Sequence, residues 1–70
     1  MTDKRSLEIG KNIKHYRLKA GLSQVGLAEK SGIDPNTLAR LERGEHRASS
    51  NSLEKLAKAL KVTVSDIMSV

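Results

Sequence analysis

An all-α fold, a compact bundle of five short helices, is what this sequence predicts, and three observations carry the prediction. Apolar residues recur at helical spacing, most cleanly at Leu53, Leu56, Ala57 and Leu60, which fall at i, i+3, i+4 and i+7. Capping residues precede such stretches and glycines follow them, as with Ser23 and Gly32, then Asp34 and Gly44. Between Gln24 and Arg43, finally, Ala28, Gly32, Ile33, Leu38 and Leu41 have the spacing of two helices packed across a tight turn. That is the residue logic of a helix-turn-helix.

The first helix is expected from Leu7 to Ala20. Ser6 can cap it, and Ile9, Ile13, Tyr16 and Ala20 share one face, while residues 1–5 form a polar tail. Gly21 is a left-handed stop, after which Leu22 turns inward. Ser23 then caps a second helix, Gln24 to Ser31, whose first turn offers outward backbone N–H groups to an anion. Leu27 and Ala28 point inward, and Gly26 sits at a cost of about 1 kcal/mol relative to Ala in a helix interior.

Asp34-Pro35 is a strong start for the third helix, because Asp accepts the free amides and Pro has a preset φ. Leu38 and Leu41 anchor this helix, leaving Asn36, Thr37, Arg40 and Arg43 off the apolar stripe, and Gly44 ends it. The polar stretch EHRASS, residues 45–50, reads as a loop. Ser49 or Asn51 opens the fourth helix, and a last turn is capped by Thr63, with Asp66 three residues on as an imperfect capping box and Ile67 directed inward.

The composition sets limits on function. The chain has 70 residues, the size of one small domain, and its 13 Lys and Arg against 8 Asp and Glu give a charge of +5 and a pI near 9.9, pointing to an anionic partner. There is no Cys, hence no disulfide or thiolate chemistry, which suits a reducing cytoplasm. The single aromatic, Tyr16, argues against modules that stack bases on aromatic platforms. No apolar run nears the roughly 18 residues of a membrane span, and the start, MTDKRSLEIGK, lacks a signal-peptide apolar region.

The segments IGKNIKHYR, GLSQVGLAEKSGI, TLARLERG and SLEKLAKALKV occur in this order. Together they resemble the Cro and phage-repressor (XRE) class of helix-turn-helix DNA-binding domains, over about Leu7 to Ile67. The resemblance implies a lambda-repressor-like bundle whose third helix enters the major groove of double-stranded DNA while the second crosses the backbone. It also implies that Asn36 and Arg40 read bases, that Ser23 and Gln24 meet a phosphate, and that Thr37, Arg43 and Arg47 flank them on the backbone. Residue chemistry agrees, since Asn pairs bidentately with adenine and Arg with guanine, each worth about 1–3 kcal/mol of discrimination. Arg17 and Glu42 resemble a structural ion pair of that class, tying the first helix to the end of the third.

Four positions depart from the pattern. Pro35 stands where many relatives place a polar reader, leaving apolar contact with a thymine methyl. Glu45, Ala48 and Ser50 replace a basic residue, a proline and an apolar residue.

Other readings are weaker. His15 and His46 are far apart in sequence with no ligand-spaced partners, so neither a metal nor a cofactor is expected. The serines lack a His-acid partner to activate them, so no enzyme is expected either. Val64, Met68 and Val70 read as the apolar edge of a dimer interface. The function expected is a repressor, binding a pseudo-palindromic operator as a homodimer with recognition helices about 34 Å apart. An antitoxin-like or adaptor module with a protein partner, and a non-specific nucleic-acid binder, are the two rivals.

Overall fold

Five helices succeed one another in the computed structural model, which describes residues 4–69: α1 (Lys4–Lys19), α2 (Gln24–Ser31), α3 (Pro35–Arg43), α4 (Ser50–Leu60) and α5 (Val64–Met68). No strand occurs among the described residues. The core is built from side chains of every helix: Ile13 of α1, Leu27 of α2, Leu38 and Leu41 of α3, Leu56 of α4 and Ile67 of α5 are all fully buried. Ala28, Ile33, Leu53, Ala57 and Leu60 fill the space between them. Helix α1 packs on α3 and α5, and α2 on α3 and α4.

Helix α1 departs most from the sequence expectation. Lys4 and Arg5, expected in the tail, are already helical, and Ser6 lies inside the helix rather than capping it. Both basic residues are good helix formers and nothing before Ser6 breaks the pattern. Residues 1–3 of the expected tail lie outside the described residues. The buried stripe is Gly10, Ile13 and Arg17, with Ile9 and Tyr16 half-buried beside it, whereas Ala20 is exposed beyond the helix end.

Gly10 explains this rotation. A Cβ there would stand 2.8 Å from the Glu42 carbonyl oxygen and closer still to that of Leu41, so glycine lets the α1 and α3 backbones touch. The stripe that faces α3 is therefore set by the smallest residue rather than the most apolar.

Four helix ends share one device. After α1, α2, α3 and α4 a residue in the left-handed conformation (Gly21, Gly32, Gly44 and Lys61, φ 59–75°) reverses the chain. The next residue then donates its N–H back across the last turn: Leu22 to Arg17, Ile33 to Ala28, Glu45 to Arg40 and Val62 to Ala57, at 2.9–3.1 Å. This is the Schellman arrangement, which satisfies carbonyls that a helix end leaves open.

Ser49, not Asn51, caps α4, accepting from the Ser52 N–H at 3.1 Å. At α5 the box is complete: Thr63 Oγ1 accepts from the Asp66 N–H and an Asp66 carboxylate oxygen accepts from the Thr63 N–H, both at 3.0 Å. The short Asp side chain thus does what a Glu usually does, and these hydrogen bonds hold its carboxyl below the ordinary carboxylate range. Asn12 fastens the other end of α5, its Nδ2 donating to the carbonyls of Ile67 (2.8 Å) and Ser69 (2.6 Å). No helix among the described residues is long and apolar enough to cross a membrane.

Candidate nucleic-acid interface

One polar cluster, buried at its centre, links α1, α2 and α3. Arg17 donates from Nε to Glu42 Oε2 (2.7 Å) and from Nη2 to Glu42 Oε1 (3.1 Å), a two-point fork, while its Nη1 donates to the Leu22 carbonyl (2.9 Å). The two side chains are 9% and 3% exposed. A charge pair so buried is tolerated only when its hydrogen-bonding capacity is used. Here it is: no buried side-chain nitrogen or oxygen among the described residues lacks a partner.

Gln24 completes the cluster. Its Nε2 donates to Glu42 Oε1 at 3.0 Å, so the amide expected to meet phosphate is engaged inside the protein. At the same helix start, Ser23 Oγ accepts from the Gly26 N–H at 2.9 Å. What α2 offers an anion is therefore its first backbone N–H groups, held in place by Ser23 and by the Gln24–Glu42 bond. The nearness of the Ser23 hydroxyl also explains Gly26, since a Cβ there would lie 3.1 Å from Oγ.

On α3 the division of faces is sharp. Leu38 and Leu41 are buried, Thr37 is half-buried, and Pro35, Asn36, Arg40 and Arg43 are exposed. Asp34 caps the helix by accepting from the Asn36 N–H at 2.8 Å, and the Asn36 side chain makes no hydrogen bond among the described residues. Asn36 and Arg40, four apart, stand one above the other on the outward face. At the helix end, Arg43 forks onto Glu45: Nε to Oε2 at 2.8 Å and Nη2 to Oε1 at 3.2 Å. Each group steadies the other's charge, the hydrogen bond raising the Arg43 pKa and lowering that of Glu45, with Arg40 adding a smaller pull on the carboxylate.

Other expected site residues lie elsewhere. Arg47 is exposed, but it lines a half-open groove of about 260 Å³ with Arg5, Ser6, Ile9, Leu53 and Met68, between the start of α1 and the last helices. Val64 and Met68 are half-buried against the core, and Val70 lies outside the described residues. His15 and His46 are both exposed, and the described residues include no cluster of His, Cys, Asp and Glu able to hold a metal.

Residues 13–67 match the helix-turn-helix family HTH_3. Among similar proteins, the immunity repressor protein of Bacillus phage phi105 is 39% identical over 62 residues, 89% of this chain and 43% of the repressor. The transcriptional regulator SinR of Bacillus subtilis is 38% identical over 86% of this chain and 55% of its own length. The chain thus spans about half the length of these curated relatives. A structure of SinR in complex with DNA superposes with a TM-score of 0.82 at 38% identity, covering 84% of this chain and 95% of that one. SinR has also been solved in complex with the SinI protein, where the TM-score is 0.85 at 37% identity over 87% of this chain and 60% of that one. The restriction-modification controller protein C.AhdI of Aeromonas hydrophila matches with a TM-score of 0.86 at 32% identity, over 89% of this chain and 94% of that one.

Proposed function

The chain belongs to the helix-turn-helix family over residues 13–67, and from that membership we propose that it is a sequence-specific transcriptional regulator of double-stranded DNA. It acts as a repressor, binding a pseudo-palindromic operator as a homodimer with α3 in the major groove. The observation that carries this reading is the outward face of α3. The side chains of Asn36 and Arg40 make no hydrogen bond among the described residues, on a helix whose other face is locked into the core by Leu38 and Leu41. Base-reading side chains need that combination of free polar atoms on a rigid support.

Asn36 suits adenine and Arg40 suits guanine, while Pro35 at the first helical position offers only apolar contact, such as to a thymine methyl. Ser23, Gln24, Thr37 and Arg43 supply the backbone grip, Gln24 through its backbone amide because Glu42 holds its side chain, and Arg47 adds a phosphate contact from outside the helix-turn-helix. Val64 and Met68, half-buried on α5, together with Val70 form the contact between protomers. Support for the reading comes from the DNA-bound SinR structure, which has the same fold at 38% identity.

Selection of binding sites from random duplex DNA tests the proposal, followed by Asn36→Ala and Arg40→Ala. Each substitution is expected to cost about 1–3 kcal/mol on the selected site and to relax preference at its own base position. Selectivity unchanged in both variants would remove the assignment, and equal affinity for selected and random duplexes would remove sequence-specific binding altogether.

The SinR–SinI complex favours a second reading, in which the same fold is a protein-binding module with auxiliary DNA binding, as in an antitoxin or adaptor. Co-purification with a stoichiometric protein partner, with no site recovered in the selection, would favour it.

A further inference from the structure

Four helix ends in this protein close with the same backbone motif, and the residue just after the left-handed turn has the same role in three of them. Leu22, Ile33 and Val62 all turn that side chain onto the core, the hydrophobic contact that usually accompanies a Schellman ending. At the end of α3 the slot holds Glu45, which is exposed. Its backbone is nonetheless as fixed as the others, through Gly44 at φ 75° and the Glu45 N–H to Arg40 carbonyl bond of 2.9 Å. A rigid helix ending therefore aims a carboxylate, instead of an apolar side chain, and aims it at Arg43.

The contact has a specific shape. Arg43 presents Nε and Nη2 to the two oxygens of Glu45 at 2.8 and 3.2 Å. A guanidinium takes a backbone phosphate by the same edge and the same pair of N–H groups. Arg40 lies close enough to Glu45 to act on its carboxylate as well. The carboxylate thus sits at the end of α3 against its last basic residue.

We propose that Glu45 is an internal stand-in for phosphate that sets the DNA affinity of this interface, holding the Arg43 fork until a duplex displaces it. The inference rests on the DNA-binding reading of the same face. Arg43 and Glu45 together carry no net charge, so the gain from the Arg43–phosphate contact is offset in the wild-type protein by the carboxylate it leaves. The pair also brings a negative group towards the DNA backbone. The effect falls on the sequence-independent part of affinity, because Arg43 grips backbone, and it leaves discrimination to Asn36 and Arg40.

The test is Glu45→Gln in the full chain, assayed on a fluorescent mixed-sequence duplex across a salt series. Affinity is expected to rise about three- to tenfold, and the log–log salt dependence to steepen by about one unit, because no displaced carboxylate then offsets the charge that Arg43 brings to the phosphate. Glu29→Gln makes the same change of net charge at an exposed site on α2 that makes no ion pair among the described residues, and is expected to give a much smaller rise. By NMR, the Arg43 Nε–H resonance of the wild type should move both in Glu45→Gln and on adding duplex to the wild type.

Unchanged or weaker binding by Glu45→Gln, where the wild type binds, would overturn the inference alone, assigning Glu45 to holding Arg43 in place for DNA. A gain matched by Glu29→Gln would reduce the effect to net charge and overturn it equally, as would an Arg43 resonance that duplex leaves unmoved. No binding by either the wild type or Glu45→Gln would remove the DNA reading itself.

Discussion

Single side chains in this protein matter most where a charge is buried, and Arg17 is the clearest case. It sits on the inward stripe of α1 at 7% exposure, where periodicity alone would put an apolar residue, while its neighbour Leu18 is 58% exposed. The guanidinium is tolerated there because Glu42 and the Leu22 carbonyl take three of its N–H groups. Removing one partner leaves the other charge buried and unpaired, which costs about 3–5 kcal/mol. Arg17→Met should therefore lower the melting temperature by at least ten degrees or so, given about 4–8 °C per kcal/mol in a domain of this size. Thermal unfolding followed by circular dichroism checks this. Replacing both partners with apolar residues of similar volume should recover most of the loss, and a Tm unmoved in Arg17→Met would show the cluster to be ornamental. Because Gln24 bonds to Glu42, the same cluster also fixes the start of α2, whose amides are proposed to meet phosphate.

At the scale of elements, α2 and α3 were legible in the sequence because their signals are local. Ser23, Asp34, Gly32 and Gly44 mark ends by their own conformational preferences, with no knowledge of the rest of the fold. The rotation of α1 was not legible, since it depends on Gly10 meeting the α3 backbone more than thirty residues away. Asn12 was missed for the same reason: its bonds to Ile67 and Ser69 span 55 and 57 positions. In the site, exposure on α3 follows from the Leu38–Leu41 stripe, but the engagement of Gln24 and Arg43 by Glu42 and Glu45 depends on rotamers that no periodicity encodes. One helix end shows what the local rule predicts when broken. Lys61 closes α4 at φ 59°, among three glycines doing the same at other ends, and a residue with a Cβ is strained there by about 1–2 kcal/mol. Lys61→Gly should stabilise the protein by about 1 kcal/mol, less the entropy that glycine adds to the unfolded chain. A melting temperature several degrees higher is the expected reading, and a fall would mean that the lysine side chain contributes more than its backbone costs.

The folded domain measures about 28 × 23 × 20 Å, so under the proposed reading a single copy presents one recognition helix to one stretch of major groove. Its charge of +5 gives sequence-independent attraction to DNA, yet one α3 with the two base readers proposed for it would discriminate over only a few base pairs. Joining two copies through a two-fold axis doubles both contributions, and geometry then dictates what the operator must look like. Two copies of α3 on one face of the duplex must be separated by about one helical turn, 10–10.5 base pairs between half-site centres. Insertion of about half a turn between the selected half-sites moves one of them to the opposite face of the duplex, whereas a full turn restores the phase. If the homodimer binds as proposed, affinity measured by fluorescence anisotropy should fall steeply with the half-turn insertion, to near the level of a single half-site. A substitution that splits the dimer, such as Met68→Glu on α5, should bring the original operator to that same level without altering binding to an isolated half-site. Affinity indifferent to both changes would mean that the protein binds as a monomer, one α3 at a time, and that the half-buried side chains of α5 serve only its own core.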